Sequence, residues 1–297
     1  MPEGHQQFDN QPPYQTIEVK RIAGALGAEV SGADLSKPLD DETFAEIRRA
    51  WLENNVIFFR GQDMSSDQYL AFAKRWGGIH LHPYMQGLPD HPEIFEIEKK
   101  EGDVRNFGNR WHSDQMFTAQ PAMATMLYAK KLPAVGGDTQ FSNLYLAYEA
   151  LSDGMKEMLG RMKSVNNGDN KRRYGGLSRA ERYKAQGSSM QAKVKDPGDI
   201  QTISEHPLIR THPETGRKAL YIGSHTEKFA GMTHEESEPL LNFLMEHSHR
   251  PEFTCRFSWE VGSLAFWDNR CTQHYAINDY SGGRRMHRIT IQGDTPY

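Results

Sequence analysis

A chain of 297 residues, 37% hydrophobic and 25% charged, is long enough for one sizeable core, and length alone does not force a second domain. A net charge of −4 argues against nucleic acid or an anionic membrane surface as a main partner. No apolar run approaches the roughly 18–20 residues of a bilayer span. The two cysteines, Cys255 and Cys271, make no disulfide framework, so a soluble protein of a reducing, cytoplasmic compartment is expected.

Residues 1–15 are polar and proline-bearing, without the basic-then-apolar order of a signal peptide, and read as a loose leader to a single domain over 16–297. "LDDETFAEIRRAWLENN" predicts a helix, with Phe44, Ile47, Trp51 and Leu52 at helical spacing behind an acidic start. The apolar "NVIFFRG" predicts a buried strand. A second helix follows, with Ser65 and Gln68 placed as a capping box. From about residue 93 the chain turns to short aromatic and β-branched runs: "EIFEI", "AMATMLYAK", "DTQFSN", "ALYIG", "FTCRFSW", "SLAFWDN" and "MHRITIQ". Helices are expected over 143–163, with a stripe of Met155, Met158, Leu159 and Met162, and over 234–248, capped by Thr233 with Glu236. The pattern is mainly β with flanking helices, a barrel or sandwich buttressed by helices. Residues 166–204 are polar, glycine-rich and basic in their first half; a solvated insertion and a mobile cover over a site are both open readings.

The chemistry centres on "NRWHSDQMF". On a strand, His112 and Asp114 would project from one side. His-x-Asp occurs by chance in many sequences, so a structural role stays open for the pair alone. His274, in "WDNRCTQHYAINDY", is a third candidate. Two histidines and one carboxylate on one face of a metal leave three positions open, as in non-haem Fe(II) oxygenases, whereas no cysteine pair at zinc-like spacing is present. In "SGGRRMHRIT", Arg284 and Arg288 are four apart and so share a strand face, where each guanidinium could grip an oxyanion. A plain solvated basic face is the competing reading.

These residues resemble the taurine dioxygenase family of Fe(II)/2-oxoglutarate-dependent dioxygenases, which includes aryloxyalkanoate dioxygenases. The resemblance runs from "GAEVSGADLSKPL" to the C-terminus through "WHSD", "LPAVGGDT", "THPETGRKALY", "WDNRCTQHYAINDY" and "RRMHRITIQGD". It implies a double-stranded β-helix, or jelly roll. It also implies His112, Asp114 and His274 as catalytic iron ligands, with Thr139 and Arg284 holding 2-oxoglutarate and Arg288 holding the substrate's anion. The alignment rests on the Arg-x-x-x-Arg spacing; a slip of one would make Arg285 the co-substrate anchor. His82, in "IHLHPYMQG", matches a histidine that helps hold the sulfonate, and Phe117 matches a pocket-lining phenylalanine. Gln115 and Met116 replace the family's Val-Thr, so Gln115 enters the substrate-contacting set as a departure. The implied reaction uses Fe(II), 2-oxoglutarate and O2 to hydroxylate a small anionic substrate (a sulfonate, sulfate ester or carboxylate), yielding succinate and CO2. An aryloxyalkanoate substrate and a non-catalytic metal-binding sensor are the alternatives. Family habit also implies a homo-oligomer, a dimer or tetramer.

Overall fold

The computed structural model describes residues 11–297, and the part of the expected leader over residues 1–10 lies outside the described residues. The apolar runs Val56–Phe59 and Leu264–Asp268 lie side by side inside a seven-stranded sheet. Its order is Glu18–Arg21, Ala28–Ser31, Val56–Phe59, Leu264–Asp268, Ala124–Lys131, Arg284–Ile291, Phe95–Lys99. Neighbours are antiparallel apart from the parallel pairing of Ala28–Ser31 with Val56–Phe59. Both central runs are buried throughout because both faces of the sheet are covered.

Alternation sorts the side chains between the two faces. Ile57, Phe59 and Phe266 belong to one core with Trp51 and Trp76, from the helices Asp41–Asn54 and Ser66–Lys74 and the turn after them. Trp51 stacks on Phe266 at 5.0 Å. Phe58, Ala265 and Trp267 belong to the other core, with Phe141 and Phe257 of a three-stranded sheet ordered Thr254–Phe257, Thr139–Asn143, Thr272–Ala276. Phe58 lies flat on Phe257 with ring centroids 3.9 Å apart. The protein is thus mainly β, with helices against the outer face of its large sheet. No helix among the described residues is long and apolar enough to cross a membrane.

The expected caps are present: Ser65 with Gln68, and Thr233 with Glu236, each bond reciprocally. One expected element divides. In place of one helix over 143–163, Asn143 caps Leu144–Glu149 and Ser152 caps Asp153–Leu159, because the Ser152 hydroxyl takes the Met155 N–H and starts a new helix. Of the methionine stripe, Leu159 is fully buried while Met158 is 43% exposed. At the N-terminal end, Tyr14 donates to Glu53 at 2.6 Å, and Glu46 receives the N–H groups of Gln15 and Thr16.

Residues 166–204 carry more order than a solvated loop. Lys163–Asn167 pairs with Ile203–Pro207 and Thr226–Phe229, and between them lie the helix Arg179–Ala185 and a 3-10 turn, Ser189–Lys193. Ser189 is held by Asp103, and Lys193 by Glu96 on the last strand of the large sheet.

Candidate active site

The stretch around His112 departs from the expected strand. His112 makes a single antiparallel bridge to His274, exchanging N–H···O bonds of 3.1 and 2.9 Å, and so extends the small sheet by one residue. The chain then turns. Gln115 adopts φ 54°, left-handed for a residue with a Cβ, and Thr118 N–H closes the turn on the Gln115 carbonyl. Asp114 stands at the start of this turn, with its N–H donated to Asn269 Oδ1 at 3.1 Å.

His112, Asp114 and His274 are all buried, with ligand atoms within 4.8 Å of one another. Their donors suit a metal. His112 Nδ1–H donates to the Arg110 carbonyl at 2.6 Å, which leaves the Nε2 lone pair facing Asp114 Oδ1 at 3.7 Å. His274 Nε2 stands 3.9 Å from Asp114 Oδ2, and its Nδ1 is buried without a hydrogen-bond partner. Burial pushes both rings below the ordinary histidine range, keeping them neutral as ligation requires. Burial alone would push the Asp114 carboxyl up, but the Arg288 guanidinium, 3.1 Å away, outweighs it and holds the group well below the usual range. Thr125 donates to Asp114 Oδ2 at 2.7 Å and fixes the carboxylate plane.

A second group, His212, Asp268 and Cys271, is equally tight and equally buried. Its donors are already used. His212 Nδ1 accepts the N–H groups of Glu214 and Thr215, so its proton sits on Nε2 and is donated to Asp268 at 2.9 Å. Both Asp268 oxygens also receive Arg270, at 2.9 and 2.7 Å. Burial pushes the Cys271 thiol well up, away from the thiolate a metal needs. This group is a structural ion-pair cluster.

Two cavities meet at the first group. The inner one is lined by Thr139, Leu127, Trp267, His274, Arg284 and Arg288. Arg284 is 4% exposed, and its Nε and Nη2, one edge of the guanidinium fork, have no partner. Thr139 Oγ1 accepts from Trp259 Nε1 at 3.0 Å, which leaves its hydrogen for an acceptor. Arg285 is exposed on the opposite side of the strand, so the register places Arg284, not Arg285, in the cavity.

The outer cleft encloses about 110 Å3 and shares His112 and Arg288 with the inner cavity. His82, Gln115 and Phe117 line it. His82 Nδ1 accepts the Tyr84 N–H at 3.0 Å, so its Nε2–H is available as a donor. Both amide atoms of Gln115 are buried without partners. Met116 is fully buried instead, close under Gly223, where a Cβ would come within 2.9 Å of its sulfur.

Several lining residues carried no sequence signal. His225 packs edge-on to Phe117 at 4.8 Å and lies 6.3 Å from His112. Gly168 and Arg179 come from the polar segment 166–204. A Cβ at Gly168 would sit 2.7 Å from Phe117 Cδ2 and 2.9 Å from Tyr84 Cε2. Gly168→Ala is therefore expected to push the Phe117 ring into the cleft at a cost of about 1–3 kcal/mol. Steady-state kinetics should show a higher KM for the organic substrate with the KM for the inner-cavity ligand unchanged; equal changes in both would contradict this placement.

Known proteins resemble this chain over almost its whole length. The family model "Taurine catabolism dioxygenase TauD, TfdA family" matches residues 18–290. An alkylsulfatase of Acinetobacter baylyi is 34% identical, over 96% of this chain and 87% of its own. An alpha-ketoglutarate-dependent sulfate ester dioxygenase of Pseudomonas putida is 33% identical, over 96% and 92%. Among solved structures, a taurine dioxygenase from Burkholderia xenovorans superposes with a TM-score of 0.78 at 36% identity, covering 95% of this chain and 91% of that one.

Proposed function

The chain belongs to the TauD, TfdA family and is a 2-oxoglutarate-dependent dioxygenase; from that premise we propose that it hydroxylates a small organic sulfate ester or sulfonate on the double-stranded β-helix fold of its family. His112 Nε2, His274 Nε2 and Asp114 would hold the metal. When bound, Fe(II) supplies the oxidising power by which O2 and 2-oxoglutarate are converted to succinate and CO2 as a substrate C–H bond is hydroxylated.

The observation that carries this reading is the junction of the two cavities at the His-Asp-His group, with an unpartnered guanidinium edge in the lining of the inner one. Arg284 Nε and Nη2 match the two oxygens of a distal carboxylate, and the Thr139 hydroxyl adds a third hydrogen bond. This anchorage orients the co-substrate so that its keto-acid end meets the His-Asp-His group. On the outer side, the His82 Nε2–H, the Gln115 amide, Arg288 and the Phe117 ring would seat the organic substrate. Hydroxylation at the carbon bearing an ester oxygen leaves a hemiacetal-like sulfate, which collapses to a carbonyl and expels sulfate. Two unpaired buried cysteines suit a cytoplasmic setting.

Succinate release against a panel of alkyl sulfates, alkanesulfonates, carboxylates and aryloxyacetates tests the substrate class. A panel in which uncharged analogues do as well as anions would overturn it. The Arg284 assignment has its own test. Truncating one partner of a buried charge-assisted pair costs about 2 kcal/mol or more, so Arg284→Ala should raise the KM for 2-oxoglutarate at least about 30-fold. Arg285→Ala should leave it unchanged, and the reverse pattern would shift the register by one.

A further inference from the structure

The cleft holds more positive charge than its metal site and co-substrate account for. Of its arginines, Arg105 and Arg110 are exposed. Arg182 pairs with Asp169 at 3.2 Å, and Arg288 with Asp114 at 3.1 Å. Arg179 differs from all four. It is 8% exposed, and no carboxylate lies within ion-pair distance of it among the described residues. Its guanidinium lies 4.6 Å over the Tyr84 ring and donates one bond, to the Gly168 carbonyl, while its Nε has no partner. Taking a guanidinium out of water without a counter-charge is costly, and such a group is stabilised when an oxyanion arrives.

Among the described residues, the cleft's other cations are exposed or ion-paired, and its histidines are neutral. Burial, then Arg288 and Arg179, hold His82 well below the ordinary histidine range, and burial, then Arg179, do the same for His225. Both rings face the cleft as neutral groups, which leaves Arg179 as the buried cleft cation with no carboxylate partner among the described residues. Tyr84 in turn packs on Phe117, 5.8 Å between ring centroids, which joins this cation to the apolar wall of the same cleft.

We propose, on the basis of the dioxygenase reading above, that Arg179 is a specificity-determining residue: it binds the anionic group of the organic substrate, through the fork that includes its Nε, from the polar segment 166–204. Arg288, which also neutralises Asp114, then meets the substrate from the metal side of the cleft. A planar guanidinium held by ring stacking suits the edge of a sulfate or sulfonate better than a lysine ammonium would. The segment that lacked any motif is accordingly the one that sets charge selectivity.

The test uses the full chain loaded with Co(II) and 2-oxoglutarate, with binding followed by isothermal titration for hexyl sulfate, hexanesulfonate, hexanoate, phenoxyacetate and the neutral 1-hexanol. Arg179→Gln should weaken at least one of the anions bound by the parent about tenfold or more. It should leave 1-hexanol and 2-oxoglutarate binding unchanged, and Arg179→Lys should recover part of the loss. Arg182→Gln, whose partner is Asp169, should have little effect. Equal weakening of hexyl sulfate and 1-hexanol would mean that Arg179 only props the wall and would overturn the proposal, as would unchanged anion binding in Arg179→Gln. A parent that binds none of the four anions also overturns it. A parent that binds them with the expected Arg179 dependence, yet forms no succinate with Fe(II) in air, leaves the anion site standing and refutes the dioxygenase reading of its substrate instead.

Discussion

Asp114→Asn is expected to lower Fe(II) affinity at least about a hundredfold and turnover at least about a thousandfold, while the metal-free protein still folds but melts at a lower temperature, since Arg288 loses its counter-charge. The asparagine keeps the shape of the side chain and can still accept from Thr125, which donates to Asp114 Oδ2 at 2.7 Å. The negative charge is what goes. Without it, two neutral imidazoles, His112 and His274, face a divalent ion, and the buried Arg288 loses the carboxylate 3.1 Å away. Anaerobic addition of Fe(II) and 2-oxoglutarate should give the parent a weak visible charge-transfer band that the variant lacks at the same metal concentration. Thermal melting of both metal-free proteins separates loss of charge from loss of fold. His212→Ala is the counterpart: its cluster is equally compact, yet its donors are spent on Arg270 and backbone N–H groups, so metal content should stay at one ion per chain. Parent-level succinate formation by Asp114→Asn would refute the metal-site assignment.

What could be read from the sequence divides along the range of the interactions involved. Runs buried on both faces, "VIFF" and "LAFWD", show themselves through composition, and capping boxes through residues three apart. The strands Lys163–Asn167 and Ile203–Pro207 do not. They bury Ser164, Asn166, Ser204 and His206, so no apolar alternation marks them, and their pairing spans some forty residues. His112, Asp114 and His274 are legible as a residue pattern, but only the fold brings His274 across to the other two, through its bridge to His112. Tertiary contacts hold the carboxylate in place: Asn269 accepts the Asp114 N–H, and Thr125 donates to Asp114 Oδ2. Arg179 and His225 carry no motif at all. Their places in the cleft wall come from tertiary approach: Gly168 and Gly223 let the 166–168 and 223–225 segments come close to Phe117 and the His112 backbone. Chemistry concentrated in one strand pair was legible; the wall of the cleft, assembled from distant loops, was not.

The second large effect concerns stability. Asp268→Asn is expected to cost about 3–5 kcal/mol, because it strips the counter-charge from Arg270, 2% exposed, and leaves it only the Glu214 carboxylate. In a chain of this size that is a fall of about 5–8 °C in melting temperature. Burial alone would push the Asp268 carboxyl up, but Arg270 and His212 outweigh it and hold it well below the ordinary range. The sign of the pH dependence follows. Between the folded value and the ordinary carboxyl value near about 3.9, the unfolded chain binds a proton that the folded chain does not. Stability from this group is therefore complete above that ordinary value and drains away as pH falls toward the folded one. Urea unfolding at neutral pH and at steps below about pH 4 should show the parent losing stability steeply, and Asp268→Asn starting lower but falling less. Parallel curves would show that Asp268 contributes no charge-dependent stability. The consequence reaches the active site through the backbone. Asp268 closes the strand Leu264–Asp268, its carbonyl accepts the Thr272 hydroxyl at 2.6 Å, and the turn so fixed feeds directly into Thr272–Ala276, the strand that carries His274. Loosening this turn should therefore weaken metal retention near the melting temperature before the large sheet opens, a separation that metal release and circular dichroism, followed in one temperature ramp, would resolve.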